Sequence, residues 1–464
     1  MSEATVLPAG AALPVAPLSP LRLLRTVLRN PMEAIPAATL TEPIVQQGVF
    51  SYRRVFVMAP ELVGQVLTAE ADAFVKAEAM QRALKPALGE AILTADGERW
   101  RWQRRAAAPI FRHERILGFL PEMLTAAGRT RDRWLALPAG QPVDLGHEMM
   151  RTTFDIIVDT MLSGRGDIDV DRVEQGITDY LGATSWAIAL AMLHAPAWTP
   201  HPGRRRAERA RDYLRDELLR LATARRGADP AGHGPEGEER RDLISLLLQA
   251  QDPDTGQAMD DQDVADNLLT FITAGHETTA LALAWSFYLL ALHPAVEARV
   301  LAEIAAVTGG GPLRPDHVPA LTYVRQVIQE AMRLYPPAPI VARTAQRDVR
   351  LGDLPVRAGT PVYIPVYSVH RHRTLWEEPD RFDPDRFRPE LAKARHRYAF
   401  LPFGAGPRIC IGASFATLEA VAILATLLPA LRLSLAGNTA PGLQMRITLR
   451  PSPGLLMLPA RRAA

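Results

Sequence analysis

Residues Ala265 to Leu292 are apolar on nearly every helical face, with LLTFITA before and ALALAWSFYLLAL after one polar turn, Gly275-His276-Glu277-Thr278-Thr279. A helix without a polar face must be enclosed by other elements. Its start falls between Asp260 and Ala265, and His293-Pro294 ends it. Helical patterns also cover Arg204 to Arg226, Pro294 to Val307, Leu321 to Leu334 and Gly412 to Leu428. Tyr52 to Met58 and Pro361 to Tyr367, rich in Val, Ile and Tyr, are expected as strands. The short apolar runs of Leu431 to Leu458, broken by Gly437, Pro441, Pro451 and Gly454, are expected as hairpins.

Length suggests about three domains for 464 residues, yet neither an internal repeat nor a linker between two cores is visible. Gly227 to Arg240 is a Gly/Pro/charge-rich loop, the best place for a flexible connection. The expected organisation is a flexible extension, residues 1–30, then one mainly α domain, residues 31–464, with a large helical body and a small β-rich lobe. Met1 to Pro20, rich in Ala and Pro, is expected to lack fixed structure. Leu21 to Asn30 (LRLLRTVLRN) has separate apolar and Arg faces and is expected to dock on the body rather than on a membrane.

Several function classes fall away. At 48% hydrophobic the chain is not disordered. Its basic residues number 53 against 51 acidic ones, with Lys only at 76, 85 and 393, so no charge excess is available for nucleic acid. No run of about 18 apolar residues is present, so no transmembrane anchor is expected. The start lacks the pattern of a secretory signal, and the expected location is cytoplasmic. Cys410 is the only cysteine, which excludes a disulfide scaffold and an iron–sulfur cluster.

That cysteine lies in Phe403-Gly404-Ala-Gly406-Pro-Arg408-Ile-Cys410-Ile-Gly412, directly before a helix. A thiolate near a helix N-terminus is favoured by the dipole and by free N–H groups. The glycines let backbone approach a flat ligand, and Arg408 can pair with an anionic group on it. Most lone cysteines are simply small buried hydrophobes. Here the six named Phe, Gly, Arg and Cys positions would coincide by chance in roughly one such chain in a hundred thousand, which decides against that reading.

The segment resembles the cysteine loop of the cytochrome P-450 family, with every family position filled. The resemblance covers about residues 45 to 460 and implies the cytochrome P-450 fold, with haem b (iron protoporphyrin IX) held by Cys410 as its metal ligand. Thiolate ligation of that kind pushes electron density onto iron and favours O–O cleavage. Phe403, Gly404, Arg408 and Gly412 would line the cofactor. Glu330-Ala-Met-Arg333 alone fits a surface ion pair. Followed by Phe382-Asp-Pro384-Asp-Arg386-Phe387, it matches the family's structural Glu–Arg–Arg cluster. Arg386 is preferred to Arg381 because it follows the Phe-x-Pro step. Trp100-Arg-Trp-Gln-Arg104 fits an amphipathic surface helix, but the resemblance makes Trp100 and Arg104 haem-propionate partners, and Arg343 another. His370 and Trp376 match a structural loop, while His276 and His372 are read as polar packing residues.

In the long helix a buried acid, a glycine costing about 1 kcal/mol relative to Ala, and a Thr able to bond back to the helix carbonyls share one turn. By itself that fits a kink with a satisfied Glu as well as it fits a functional site. With the cysteine loop it resembles the family's oxygen-activating groove. Ala274 and Gly275 would face the cofactor, Glu277 would relay protons, and Thr278 would hydrogen-bond the bound oxygen. The pair favours monooxygenation over one alternative, a haem-thiolate peroxygenase or isomerase; the other, a non-catalytic haem sensor, would be favoured by a fused signalling module, and none is visible in the sequence.

The stretches corresponding to the family's substrate lining are overwhelmingly apolar: Ile92 and Leu93, Trp186 to Leu193 with Leu190 among them, Ala274, Ala338 to Val341 with Ile340 among them, and Leu449. They imply a lipophilic substrate, a fatty acid or a terpene-like molecule. The resemblance also implies electrons from NAD(P)H through a separate ferredoxin or flavodoxin and its reductase, and a monomer. Arg99, Arg101, Arg105 and Arg112 are candidates for meeting an acidic partner, although solvated Arg faces would look the same.

Overall fold

A computed structural model describes residues 10–49, 52–162, 169–228, 242–437 and 440–462. Most of Gly227 to Arg240, expected as a loop, lies outside them. The helices are α1 (Pro20–Arg29), α2 (Glu78–Leu88), α3 (Gly97–Ala107), α4 (Leu120–Leu135), α5 (Leu145–Met161), α6 (Val170–Gly182), α7 (Thr184–Met192) and α8 (Arg204–Ala228). They continue as α9 (Asp261–Leu292), α10 (Pro294–Thr308), α11 (Thr322–Leu334) and α12 (Ala413–Leu427), with several shorter helices between. The strands are β1 (Ile44–Val49), β2 (Tyr52–Val57), β3 (Phe74–Lys76), β4 (Val143–Asp144), β5 (Val341–Ala345) and β6 (Val349–Leu351). After these come β7 (Leu354–Val356), β8 (Pro361–Ile364), β9 (Leu431–Leu435), β10 (Gly442–Met445), β11 (Leu449–Ser452) and β12 (Leu456–Arg461). The expected mainly helical body with a small β portion is the architecture found.

The chain divides into two compact units, Met1–Ala77 with Met123–Thr152 and Thr278–Ala464, and Glu78–Glu122 with Thr153–Glu277. The first holds all the sheets found among the described residues. The largest has the order β1-β2-β8-β5-β3, antiparallel except for the β2–β8 pair. Its apolar side packs with Val63, Val66, Leu67, Tyr398 and Leu401 into one cluster, so the sheet lies beside the segment that enters the cysteine loop. In the second unit α6 packs on α8 and α2 on α7.

Three expectations change. The strand expected over Pro361 to Tyr367 stops at Ile364, because Pro365 interrupts the ladder and its carbonyl instead accepts from Ser368 and Val369 N–H (2.8 and 2.9 Å), starting a one-turn helix. The C-terminal strands form one local hairpin, β10–β11, but β9 pairs with β12 rather than with its neighbour. Of the segment expected to lack structure, residues 1–9 lie outside the described residues, while Ala11 N–H donates to the Tyr367 hydroxyl (2.8 Å) and Ala37 N–H to Pro14 carbonyl (2.9 Å).

Helix α1 buries Leu23 and Val27, and Asn30 at its end exchanges hydrogen bonds with β10, donating to Leu443 carbonyl and accepting from Met445 N–H, both at 2.9 Å. Its apolar stripe is therefore docked on its own unit. Helix α9 ends where sequence requires: Pro294 begins the next helix and the His293 ring bonds Leu289 carbonyl at 2.7 Å. No single helix among the described residues is long and apolar enough to cross a membrane.

Candidate active site

In the first unit, the cysteine loop is shaped by backbone bonds: Gly404 N–H donates to Leu401 carbonyl (3.1 Å), Ile409 N–H to Gly406 carbonyl (3.1 Å) and Cys410 N–H to Phe403 carbonyl (2.9 Å). Gly404 and Gly406 have φ of +71° and +73°, conformations that cost L side chains strain. At Gly406 a Cβ would also sit 1.9 Å from Leu67 carbonyl oxygen, so only glycine fits between the loop and the residues before β3. Arg408 reaches the same region, donating to Phe74 carbonyl at 3.0 Å.

Cys410 is exposed, three residues before α12 begins. A Cβ on Gly412 or Gly404 would meet no atom within 4 Å, so there is space beside the loop at the two glycines that flank the cysteine in sequence. The described residues contain no cluster of three His, Cys, Asp or Glu able to hold a metal. One exposed sulfur in a loop whose glycines leave space fits a cofactor whose metal takes a single protein ligand.

The loop is held from behind. Leu401 N–H, two residues before Phe403, donates to Nε2 of buried His370 at 2.7 Å. Burial, with Arg333 nearby, pulls that imidazole down to about 3, so it stays a neutral acceptor. Glu330 and Arg333 on α11 have no exposure at all. Arg333 donates to both Glu330 oxygens (2.6 and 2.7 Å) and to the carbonyls of His370 (2.9 Å), Pro379 (2.6 Å) and Arg381 (2.9 Å), which occupies every guanidinium N–H. Arg386 Nε lies 3.6 Å from Glu330, whereas the Arg381 side chain turns outward to Glu378 at 2.9 Å. Sequence reasoning missed Arg395, whose guanidinium lies over the Trp376 ring at 4.2 Å and donates to Arg386 carbonyl at 2.6 Å.

Arg343 is half-buried on β5 in register with Lys76 and Val362, and donates to Ala342 carbonyl at 2.9 Å. Leu449 is fully buried; its N–H donates to Pro337 carbonyl (3.0 Å) and its carbonyl accepts from Trp285 on α9 (3.4 Å). That joins the start of β11 to the stretch of Ala338, Ile340 and Val341, of which Ala338 is exposed and the other two half-buried.

In the second unit, Trp100 and Arg104 are half-buried on α3. Buried Ile92 and exposed Leu93 belong to a loop strapped to α9. Glu90 N–H donates to Asp266 (3.2 Å) and Ile92 N–H to Asn267 (3.0 Å), and at Gly89, with φ +58°, a Cβ would collide with the Asp266 carboxyl at 1.8 Å. Leu190 borders a cavity of about 500 Å³ among α2, α6, α7 and α8. The α9 helix runs unbroken through the polar turn. Ala274 is exposed and Gly275 half-buried, while His276 and Glu277 are buried. His276 packs edge-on against Phe154 (5.5 Å) with its ring on Ile272 carbonyl (2.9 Å), and its own carbonyl accepts from Thr153 (2.8 Å). The next residue, half-buried Thr278, belongs to the first unit.

Of the Arg residues considered for an acidic partner, Arg99 is paired with Asp263 (2.5 Å), Arg101 with Glu98, and Arg105 with Asp252 (2.6 Å). Hydrogen bonding from Arg105 pulls the Asp252 carboxyl down to about 2. Three of the four are thus neutralised within their own unit.

Helical architecture, a glycine-shaped loop presenting one thiol and a fully satisfied buried Glu–Arg pair behind it define a haem-thiolate class of protein. Comparison with known proteins agrees. The sequence model of the cytochrome P-450 family matches residues 35–458. The chain is 34% identical to a cyclooctat-9-en-7-ol 5-monooxygenase of Streptomyces melanosporofaciens, covering 86% of this chain and 84% of that one. It is 33% identical to a pentalenene oxygenase of Streptomyces avermitilis, covering 80% and 79%. Among solved structures it superposes on the cytochrome P450DA heme domain with a TM-score of 0.80 at 26% identity, over 91% of this chain and 90% of that one. The chain belongs to the cytochrome P-450 family. It is a monooxygenase with a haem cofactor.

Proposed function

We propose that this enzyme hydroxylates a terpene or a terpene-like alcohol, with NAD(P)H electrons delivered by a separate ferredoxin or flavodoxin and its reductase. The observation that carries the substrate class is the kinship with two bacterial oxygenases named for terpene substrates, taken together with an apolar substrate lining. Residues 31–464 act as one catalytic domain, monomeric and cytoplasmic, behind a short N-terminal extension.

In this reading the Cys410 thiolate ligates the haem iron, and the loop at Phe403, Gly404 and Gly412 accepts the ring. Arg408, Arg343, Trp100 and Arg104 meet its propionates, as cations and hydrogen-bond donors suited to carboxylates. Glu330, Arg333 and Arg386 fix the loop from behind and take no part in chemistry. The haem, when bound and reduced, supplies the activation of O2. Ala274 and Gly275 leave α9 without bulk on the face toward the cofactor. Thr278 holds oxygen and an ordered water through its hydroxyl, and Glu277 passes protons inward from solvent to that water. Ile92, Leu93, Leu190, Ala338, Ile340, Val341 and Leu449 keep the substrate dry and oriented.

Titration of the ferric protein with pentalenene, cyclooctat-9-en-7-ol, a long-chain fatty acid and a steroid tests the substrate class. The expected result is a shift to high spin with a terpene, followed by a hydroxylated product under reducing conditions. A shift and product with the fatty acid alone would replace the terpene reading. For the proton pathway, Thr278→Ala is expected to keep haem and the spin shift while diverting consumed NADPH to peroxide. Unchanged coupling in that variant would remove Thr278 from its role.

A further inference from the structure

Helix α12, which begins at the end of the cysteine loop, is apolar throughout except for its small hydroxyl residues and one glutamate, Glu419 in ASFATLEAVAILATL. Glu419 is 1% exposed and Thr279 of α9 is 3% exposed. The Thr279 hydroxyl is hydrogen-bonded to the carboxyl, whose other oxygen, Oε1, is buried with no hydrogen-bond partner, and no ion pair reaches Glu419 among the described residues. A carboxylate placed there would be a buried charge without a counterion, which is strongly disfavoured. Burial accordingly holds the group well above the ordinary glutamate range, against the opposing pull of Thr279. A neutral carboxyl is both donor and acceptor, so it can join a hydroxyl in a water-free interior where a carboxylate could not remain.

The pair is not among the residues assigned to the cofactor. It lies between the helix that follows Cys410 and the residue that follows Thr278, two parts of the same unit. We propose that Glu419 is a positioning residue: gripping Thr279, its carboxyl ties the helix of the thiol to the α9 turn that carries Thr278 and sets where the Thr278 hydroxyl stands. The proposal rests on the reading of Thr278 as the alcohol of the oxygen groove. A misplaced hydroxyl leaves haem ligation intact and lets consumed electrons escape as peroxide.

Three variants separate the possibilities. Glu419→Gln keeps a neutral donor of the same shape, Glu419→Leu removes the bond from one side and Thr279→Val from the other. Infrared difference spectra of wild type minus Glu419→Gln at neutral pH should show the carbonyl stretch of an un-ionised carboxylic acid, a readout independent of turnover. With NADPH, a plant-type ferredoxin, its reductase and pentalenene, peroxide formed per NADPH should rise about three- to ten-fold in Glu419→Leu and Thr279→Val, the size expected for one buried hydrogen bond. It should stay at the wild-type level in Glu419→Gln, and the thiolate-type carbon-monoxide band should persist in all three. Absence of the infrared band overturns the neutral carboxyl. Wild-type peroxide yield in Thr279→Val, which differs from Thr by a single isosteric group, overturns the positioning role even if Glu419→Leu fails to fold. Peroxide unchanged in Thr278→Ala would instead strike at the reading of Thr278 and leave the infrared result standing.

Discussion

Single residues in this molecule are constrained for different reasons, and substitution separates them. Gly406 combines a left-handed φ with a Cβ position only 1.9 Å from Leu67 carbonyl oxygen. Gly406→Ala should therefore destabilise the haem-free protein by about 2–3 kcal/mol in thermal unfolding. Gly412 has open space and φ of −86°, so Gly412→Ala should leave haem-free stability within about 0.5 kcal/mol yet weaken haem retention. Arg333 and Glu330 are both wholly buried and satisfy each other. Removing the guanidinium strips Glu330 of its bidentate partner and leaves it buried with the longer 3.6 Å approach of Arg386, so Arg333→Ala should cost about 3–5 kcal/mol in denaturant unfolding. Glu419 contributes the opposite sign of pH dependence from a salt-bridged acid. Its folded-state pKa is raised above the ordinary 4.5, so its favourable contribution is complete below about that pH and is lost as pH rises toward the folded value. Glu419→Gln, which cannot ionise, should unfold at a higher temperature than wild type at pH 7, with the difference shrinking as pH falls toward 4.5.

At the scale of elements, features written in contiguous residues were legible. The glycines and cysteine of the loop, the i, i+3 spacing of Glu330 and Arg333, and the helix ends at His293-Pro294 all depend on neighbours a few positions away. The polar turn of α9 stood out because charge and glycine interrupt an apolar run, and Glu419 in α12 carries the same signal. What the sequence could not disclose are partners far along the chain. Asp263 and Asp252, more than 140 residues from Arg99 and Arg105, convert what looked like a solvated Arg face into ion pairs. The strap from Asp266 and Asn267 to the Ile92 loop, and the pairing of β9 with β12 instead of its neighbour, are likewise products of the tertiary fold. The strand that starts at Pro361 ends three residues early for a local reason that was visible, since Pro365 cannot donate to a ladder.

For the whole molecule, near-balanced charge and the pairing of Arg99, Arg101 and Arg105 with acids of their own unit predict that the rate of reduction by the proposed donor falls only slightly as salt is raised. The cysteine loop, Arg343 and Thr278 lie in the first unit, and Trp100, Arg104, Ala274, Gly275 and Glu277 in the second. Every proposed role depends on Cys410 being the sulfur that holds the haem iron. The most direct measurement is the absorbance of the reduced, carbon-monoxide-bound protein, wild type beside Cys410→Ala. Thiolate ligation predicts a strongly red-shifted band in wild type that disappears in the variant. A wild type without that band, or a variant that retains it, would contradict the account at its centre.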